Sequence, residues 1–94
     1  MLRQLLSTVL RGLLDRKDSE ADKRQAEQEL QSANAALLSG DVRQAIGHYE
    51  AYLEQQPHDC EAINDLGYCY GVIGDNAQAA RLFDRAYQLD RLAA

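Results

Sequence analysis

Tryptophan is absent from this chain, and proline, phenylalanine and methionine occur once each in 94 residues. With Pro57 as the sole proline, long stretches are free to be helical, and six glycines are too few for a low-complexity or flexible chain. No run of 18 apolar residues occurs, which excludes a transmembrane helix. The first residues do not read as a secretory signal, because Gln4, Ser7, Thr8 and Arg11 interrupt the apolar stretch and no small-residue cleavage site follows. Positive charge is also scarce: ten Lys and Arg stand against fifteen Asp and Glu, for a net charge of −5.

That charge is unevenly placed. Residues 1–24 carry six basic and four acidic side chains, a net +2, whereas residues 25–94 carry four basic and eleven acidic, a net −7. An acidic body repels phosphates, so nucleic acid is not an expected partner. A basic head on that body points to two different surroundings.

Cysteine is limited to Cys60 and Cys69, nine residues apart. At about 100° per residue they fall on opposite faces of a helix and cannot share a metal or a disulfide within it. Two unpaired thiols suit a reducing, cytoplasmic setting. His48 and His58 lie in different elements, His48 as a surface residue of a helix and His58 in a turn, with no carboxylate or thiol patterned around them. No catalytic, metal or cofactor site is therefore expected.

What the chain does have is an internal repeat. Gly40 to Pro57 reads GDVRQAIGHYEAYLEQQP, and 34 residues later Gly74 to Arg91 reads GDNAQAARLFDRAYQLDR. Gly40, Asp41, Gln44 and Ala45 return as Gly74, Asp75, Gln78 and Ala79, Glu27 returns as Glu61, and Tyr49-Glu50 returns as Phe83-Asp84. A fixed period of this length marks a stacked repeat architecture.

Taken in order, residues 2–17 place Leu2, Leu5, Leu6, Val9, Leu10, Leu13 and Leu14 on one stripe of an amphipathic helix. The polar stretch 18–25 predicts a break near Asp18-Ser19, with Ser19 capping a new helix that runs to Ser39. Gly40 ends that helix, and Asp41 caps the next with Gln44 as the reciprocal partner of a capping box. The second helix runs to about Gln55, where Pro57 stops it. Asp59 caps a third helix, roughly Cys60 to Ile73, then Gly74 and Asp75 repeat the turn before a last helix that runs close to the C-terminus. No segment alternates with period two, so the fold class is all-α.

Two helices per 34 residues with a Gly-Asp turn resemble the tetratricopeptide repeat (TPR). In the second repeat, about 60–93, Ile63 stands at the first large position, Leu66-Gly67 at the paired position, and Tyr70 at the tyrosine. Ala79, Phe83 and Ala86 follow, and Arg91 replaces the terminal proline. In the first repeat, about 26–59, Ala45, Tyr49 and Pro57 match, Tyr52 replaces an alanine, and Glu29, Ser32, Ala33 and Ala36 stand where larger residues are usual. The resemblance covers about 66 of the 94 residues and implies antiparallel helix-turn-helix units stacked into an α-α superhelix, residues 19–94, preceded by the amphipathic helix of residues 1–18. Small residues at Ala33/Gly67 and Ala45/Ala79 would let paired helices approach, with Tyr49, Tyr70 and Phe83 filling the wedge between repeats. The Gly67–Gly71 spacing reads as the same close packing and not as a membrane motif.

The resemblance also implies a non-catalytic protein-protein interaction module with a groove lined by the first helix of each repeat. Its usual groove positions fall here on Glu27, Leu30, Asn34, Leu37 and Leu38, and on Glu61, Asn64, Tyr68, Gly71 and Val72. Some members clamp the acidic tails of chaperones with lysines and asparagines. Residues 26–39 and 60–73 contain no Lys or Arg, and Glu27, Glu61 and Asp65 would repel such a tail. An apolar or basic helical segment is the better match.

Two repeats are fewer than the three or so that stacking usually requires, and each repeat exposes an apolar side. The stripe of Leu2, Leu5, Leu6, Val9, Leu10, Leu13 and Leu14 is the expected cover, either folded over its own chain or packed against a second copy in a homodimer or larger assembly. Such repeats often precede catalytic domains such as glycosyltransferases, so the chain also reads as the N-terminal region of a larger protein. The alternative places the stripe, with Arg3, Arg11, Arg16 and Lys17 beside it, on a membrane surface.

Overall fold

The computed structural model describes the backbone of residues 2–93 and the side chains of residues 20–92. Four helices make up these residues: α1 (Leu2–Leu38), α2 (Val42–Gln55), α3 (Cys60–Val72) and α4 (Asn76–Ala93). Among the described residues there is no strand. Helix α1 packs on α2, α2 on α3 and α3 on α4, so neighbours in sequence are neighbours in space. The all-α stack of helix-turn-helix units is the architecture that the period of 34 implies.

The expected break near Asp18-Ser19 does not occur. Helix α1 runs unbroken through both residues, and Ser19 caps nothing. Residues 18–25 lose the apolar period, yet Glu, Ala, Lys, Arg and Gln are strong helix formers and neither Gly nor Pro is present. A helix of this length measures about 55 Å, which accounts for the 56 Å long axis of the molecule. Helix α2 has 14 residues, about 21 Å, so it can cover only the C-terminal part of α1. The side chains of the stripe Leu2 to Leu14 lie outside the described ones.

Each unit turns through the same Gly-Asp pair. Gly40 and Gly74 adopt φ of 85° and 92°, a conformation that costs glycine nothing and other residues considerably more. In the first turn the Gly40 N–H donates to Leu37 O and the Asp41 N–H to Ala36 O; in the second, Gly74 donates to Gly71 O and Asp75 to Tyr70 O. This pair of bonds is a Schellman closure. The aspartate then starts the next helix: Asp41 accepts from Gln44 N at 3.3 Å and Asp75 from Gln78 N at 3.2 Å. Asp59 does the same for α3, accepting from Ala62 N at 3.2 Å. The reciprocal half of the expected capping box is not formed. The backbone N–H of Asp41 and of Asp75 is already committed to the preceding helix, so Gln44 and Gln78 have no donor to reach.

The core is built from small residues around a few rings. Ala26, Ala33, Ala36, Ala45, Ala62 and Cys69 are buried together with Leu66, Tyr49 and Tyr52. Tyr49 fills the wedge between the units as expected, fully buried, with its hydroxyl donating to Asn34 Oδ1 at 2.6 Å. Tyr52 stands where the repeat usually carries alanine, and its hydroxyl supplies the reason: it donates to Asp59, the residue that caps α3. Tyr70 ties α3 to α2 by donating to Glu50. Arg85 ties α4 to the α2–α3 turn by donating to Pro57 O at 3.1 Å. His48 is not a plain surface residue; it is half-buried, with Nδ1 2.6 Å from Glu29 Oε2 across the α1–α2 interface.

Candidate functional site

The two units are an internal control on each other. Residues of the first unit sit under α3, and residues 34 positions later have no such helix over them. Tyr49 is fully buried, whereas Phe83, its counterpart, is 45% exposed. Leu53 is half-buried, whereas Tyr87 is 59% exposed. Phe83 was expected to fill a wedge; instead its ring lies on an open edge formed by α3 and α4.

That edge is concave. Gly67, Tyr68, Gly71, Val72 and Phe83 line a shallow cavity of about 240 Å³. Beyond the Phe83 ring, Cys60, Asn64, Ala86, Tyr87 and Asp90 line a second of about 360 Å³. Phe83 borders both, so the two form one furrow along the α3–α4 pair. Its floor is low because small residues lie beneath it. Phe83 Cε1 would stand 2.9 Å from a Cβ added to Gly67, closer than a side chain at that position allows. Arg91 sits over the Tyr87 ring, 5.9 Å from its centre, and partly shields one end.

A smaller cleft of about 70 Å³ opens between α1 and α3, lined by Leu30, Asn34, Asp59, Glu61, Ala62 and Asp65. It is acidic. Burial, then Glu61 and Asp59, holds the Asp65 carboxyl above the usual carboxylate range. Burial pushes the Tyr49 hydroxyl up to about 12, with Asp65, Cys69 and Glu61 adding to the effect. The Cys69 thiol is raised by burial and by Asp65. An anionic ligand is disfavoured here on charge alone.

The residues singled out from sequence therefore divide between two places. Leu30, Asn34 and Glu61 meet in the acidic cleft, where the Asn34 carbonyl oxygen is already taken by Tyr49. Asn64, Tyr68, Gly71 and Val72 belong to the open edge. Leu37 packs against the core, Leu38 is 90% exposed, and Glu27 is exposed on α1. The contribution of α4 went unseen: Phe83, Ala86, Tyr87 and Asp90 complete the edge. Its signal was present in the repeat itself, since Phe83 and Tyr87 occupy the places of Tyr49 and Leu53.

Among the described residues, no group of three or more His, Cys, Asp or Glu side chains is arranged to hold a metal ion. Among them also, no helix is long and apolar enough to cross a membrane. No family model matches the chain. A stretch of 54 residues, 57% of the chain, is 32% identical to the "Protein CTR9 homolog" of Arabidopsis thaliana, of which it spans 5%. The relationship concerns a small segment of that protein and, with the helical stack, fits a TPR-like helical repeat.

Proposed function

We propose that this chain is a non-catalytic protein-interaction module of the tetratricopeptide type, which receives an apolar helical segment along the α3–α4 edge. The observation that carries this reading is the exposure of Phe83 and Tyr87, whose counterparts Tyr49 and Leu53 are covered in the first unit, on one furrow with exposed Tyr68 and Val72. A contiguous apolar surface of this kind marks an interaction site. A helix laid into a groove recognises it through residues at i, i+3, i+4 and i+7. Asp90, which lines the edge, favours a segment with a basic rather than an acidic flank.

The test is a titration of the full chain with a fluorescent synthetic helix carrying leucines on one face and lysines on the other. Binding is expected, and Phe83→Glu is expected to weaken it by tenfold or more with helicity unchanged by circular dichroism. Equal binding by the parent and the Phe83→Glu chain, or none by either, removes the edge as the site.

A further inference from the structure

The furrow on α3 and α4 is shaped for a bulkier face than the one α3 presents to the first unit. There, Ala62, Leu66 and Cys69 of α3 meet a surface that includes Leu30, Leu37, Tyr49 and Tyr52. The corresponding residues of the second unit are Asn64, Gly71, Phe83 and Ala86, so that three of the four are smaller. Close packing conserves volume across an interface, so small residues on this side call for large ones on the other. A helix that repeated the Ala-Leu-Cys face of α3 would leave a void over Gly71, where Phe83 does not reach. A leucine face would fill it.

One segment of this chain carries such a face at the same spacing. Ala62, Leu66, Cys69 and Ile73 follow one another at i, i+4, i+7 and i+11, and so do Leu2, Leu6, Val9 and Leu13. The segment cannot reach the edge of its own molecule. Helix α1 is continuous from Leu2 to Leu38 and lies at the opposite end of the stack from α4. Without a turn near residue 18, its N-terminal half points away from the body and cannot fold back over it. Charge agrees with an intermolecular contact: Arg3, Arg11, Arg16 and Lys17 accompany the stripe, residues 25–94 carry a net −7, and Asp90 lines the edge.

We infer that the occupant of the α3–α4 edge is the leucine stripe of α1, residues 2–14, from a second copy of the chain, exchanged reciprocally in a dimer. Each contact joins unlike surfaces, stripe against edge, and their reciprocal exchange about a twofold axis makes the whole interface isologous and closed. This rests on the edge being an interaction surface and adds the identity of what binds there.

The experiment is light scattering coupled to size exclusion on the full chain and two variants, Leu6→Glu/Val9→Glu in the stripe and Phe83→Glu in the edge. The parent is expected to be a dimer, and each variant alone a monomer of unchanged helicity. Mixed together, the variants retain one intact stripe and one intact edge, and a 1:1 heterodimer is expected. Gly67→Ala, which displaces the Phe83 ring within an otherwise native edge, is expected to weaken the dimer by about tenfold should Phe83→Glu fail to fold. A Phe83→Glu chain that stays dimeric would show stripe packing on stripe and overturn the inference. So would a mixture that gives no complex, or a monomeric parent, whether or not it binds anionic vesicles. A monomeric parent that still binds the synthetic leucine helix would remove the second copy and leave the interaction surface in place.

Discussion

The Phe83 ring lies directly over Gly67, so close that a methyl group added to the glycine would stand 2.9 Å from Cε1. The glycine is what lets the ring lie flat on α3, and the ring is what divides the furrow into its two cavities. Gly67→Ala gains about 1 kcal/mol of helix propensity, and that gain offsets much of the cost of moving the ring. Because Phe83 is 45% exposed, it has room to swing outward into the furrow. The expected outcome is a thermal midpoint within a few degrees of the parent, together with weakened binding at the edge. Differential scanning calorimetry beside the peptide titration separates the two effects.

Tyr49, the counterpart of Phe83 in the first unit, is anchored by a hydrogen bond that a phenylalanine cannot make, donating to Asn34. Tyr49→Phe removes the hydroxyl and leaves the ring. Because Asn34 is exposed, water can replace the lost partner on that side. A loss of about 1 kcal/mol is expected in urea unfolding. Tyr49→Ala empties a fully buried site and should cost about 3–5 kcal/mol.

Glu29 and His48 occupy positions at which the second unit carries Ile63 and Leu82. The polar pair bridges α1 and α2 at a half-buried place where the repeat is otherwise apolar. Replacing both together, Glu29→Ile with His48→Leu, should raise stability by about 1 kcal/mol or more, since a well-packed apolar pair commonly outperforms a buried polar one. Replacing His48 alone by Leu should destabilise, because the Glu29 carboxylate then loses its partner. Denaturant unfolding of the single and double variants measures the difference.

Asp65 should make folding depend on pH. Burial, with Glu61 and Asp59 beside it, holds its carboxyl above the usual carboxylate range. A raised folded-state value means that the group favours the fold while protonated and loses that advantage as pH rises through the folded-state value. Asp65→Asn is therefore expected to stabilise the chain at pH 7 and to have little effect at pH 3. Thermal melts at the two pH values check this, and equal stabilisation at both would assign the effect to something other than charge.

The turns were legible in the sequence because each is fixed by two adjacent residues, a glycine at positive φ and an aspartate cap. The helical stack was legible because the 34-residue period repeats those turns. The apolar period stops near Asp18-Ser19, which predicts a break, yet the helix continues because five of the residues 18–25 (Glu20, Ala21, Lys23, Arg24, Gln25) are strong helix formers and none is Gly or Pro. Gln44 looked like half of a capping box only while the Asp41 N–H was assumed free; the Schellman closure had already used it. The edge was hardest to see. Phe83 and Tyr87 have the same pattern as Tyr49 and Leu53, and only the place of α3 in the stack decides which pair is covered.

Phe83 is the sole phenylalanine of the chain, so biosynthetic fluorophenylalanine places a single reporter on the edge. One-dimensional fluorine NMR of the full chain across a hundredfold range of concentration tests most directly whether a second copy covers that ring. The resonance is expected to move from an exposed to a buried position as concentration rises, and to stay at the exposed position at all concentrations in Leu6→Glu/Val9→Glu. A resonance in the parent chain that is independent of concentration and already at the exposed position would contradict the account.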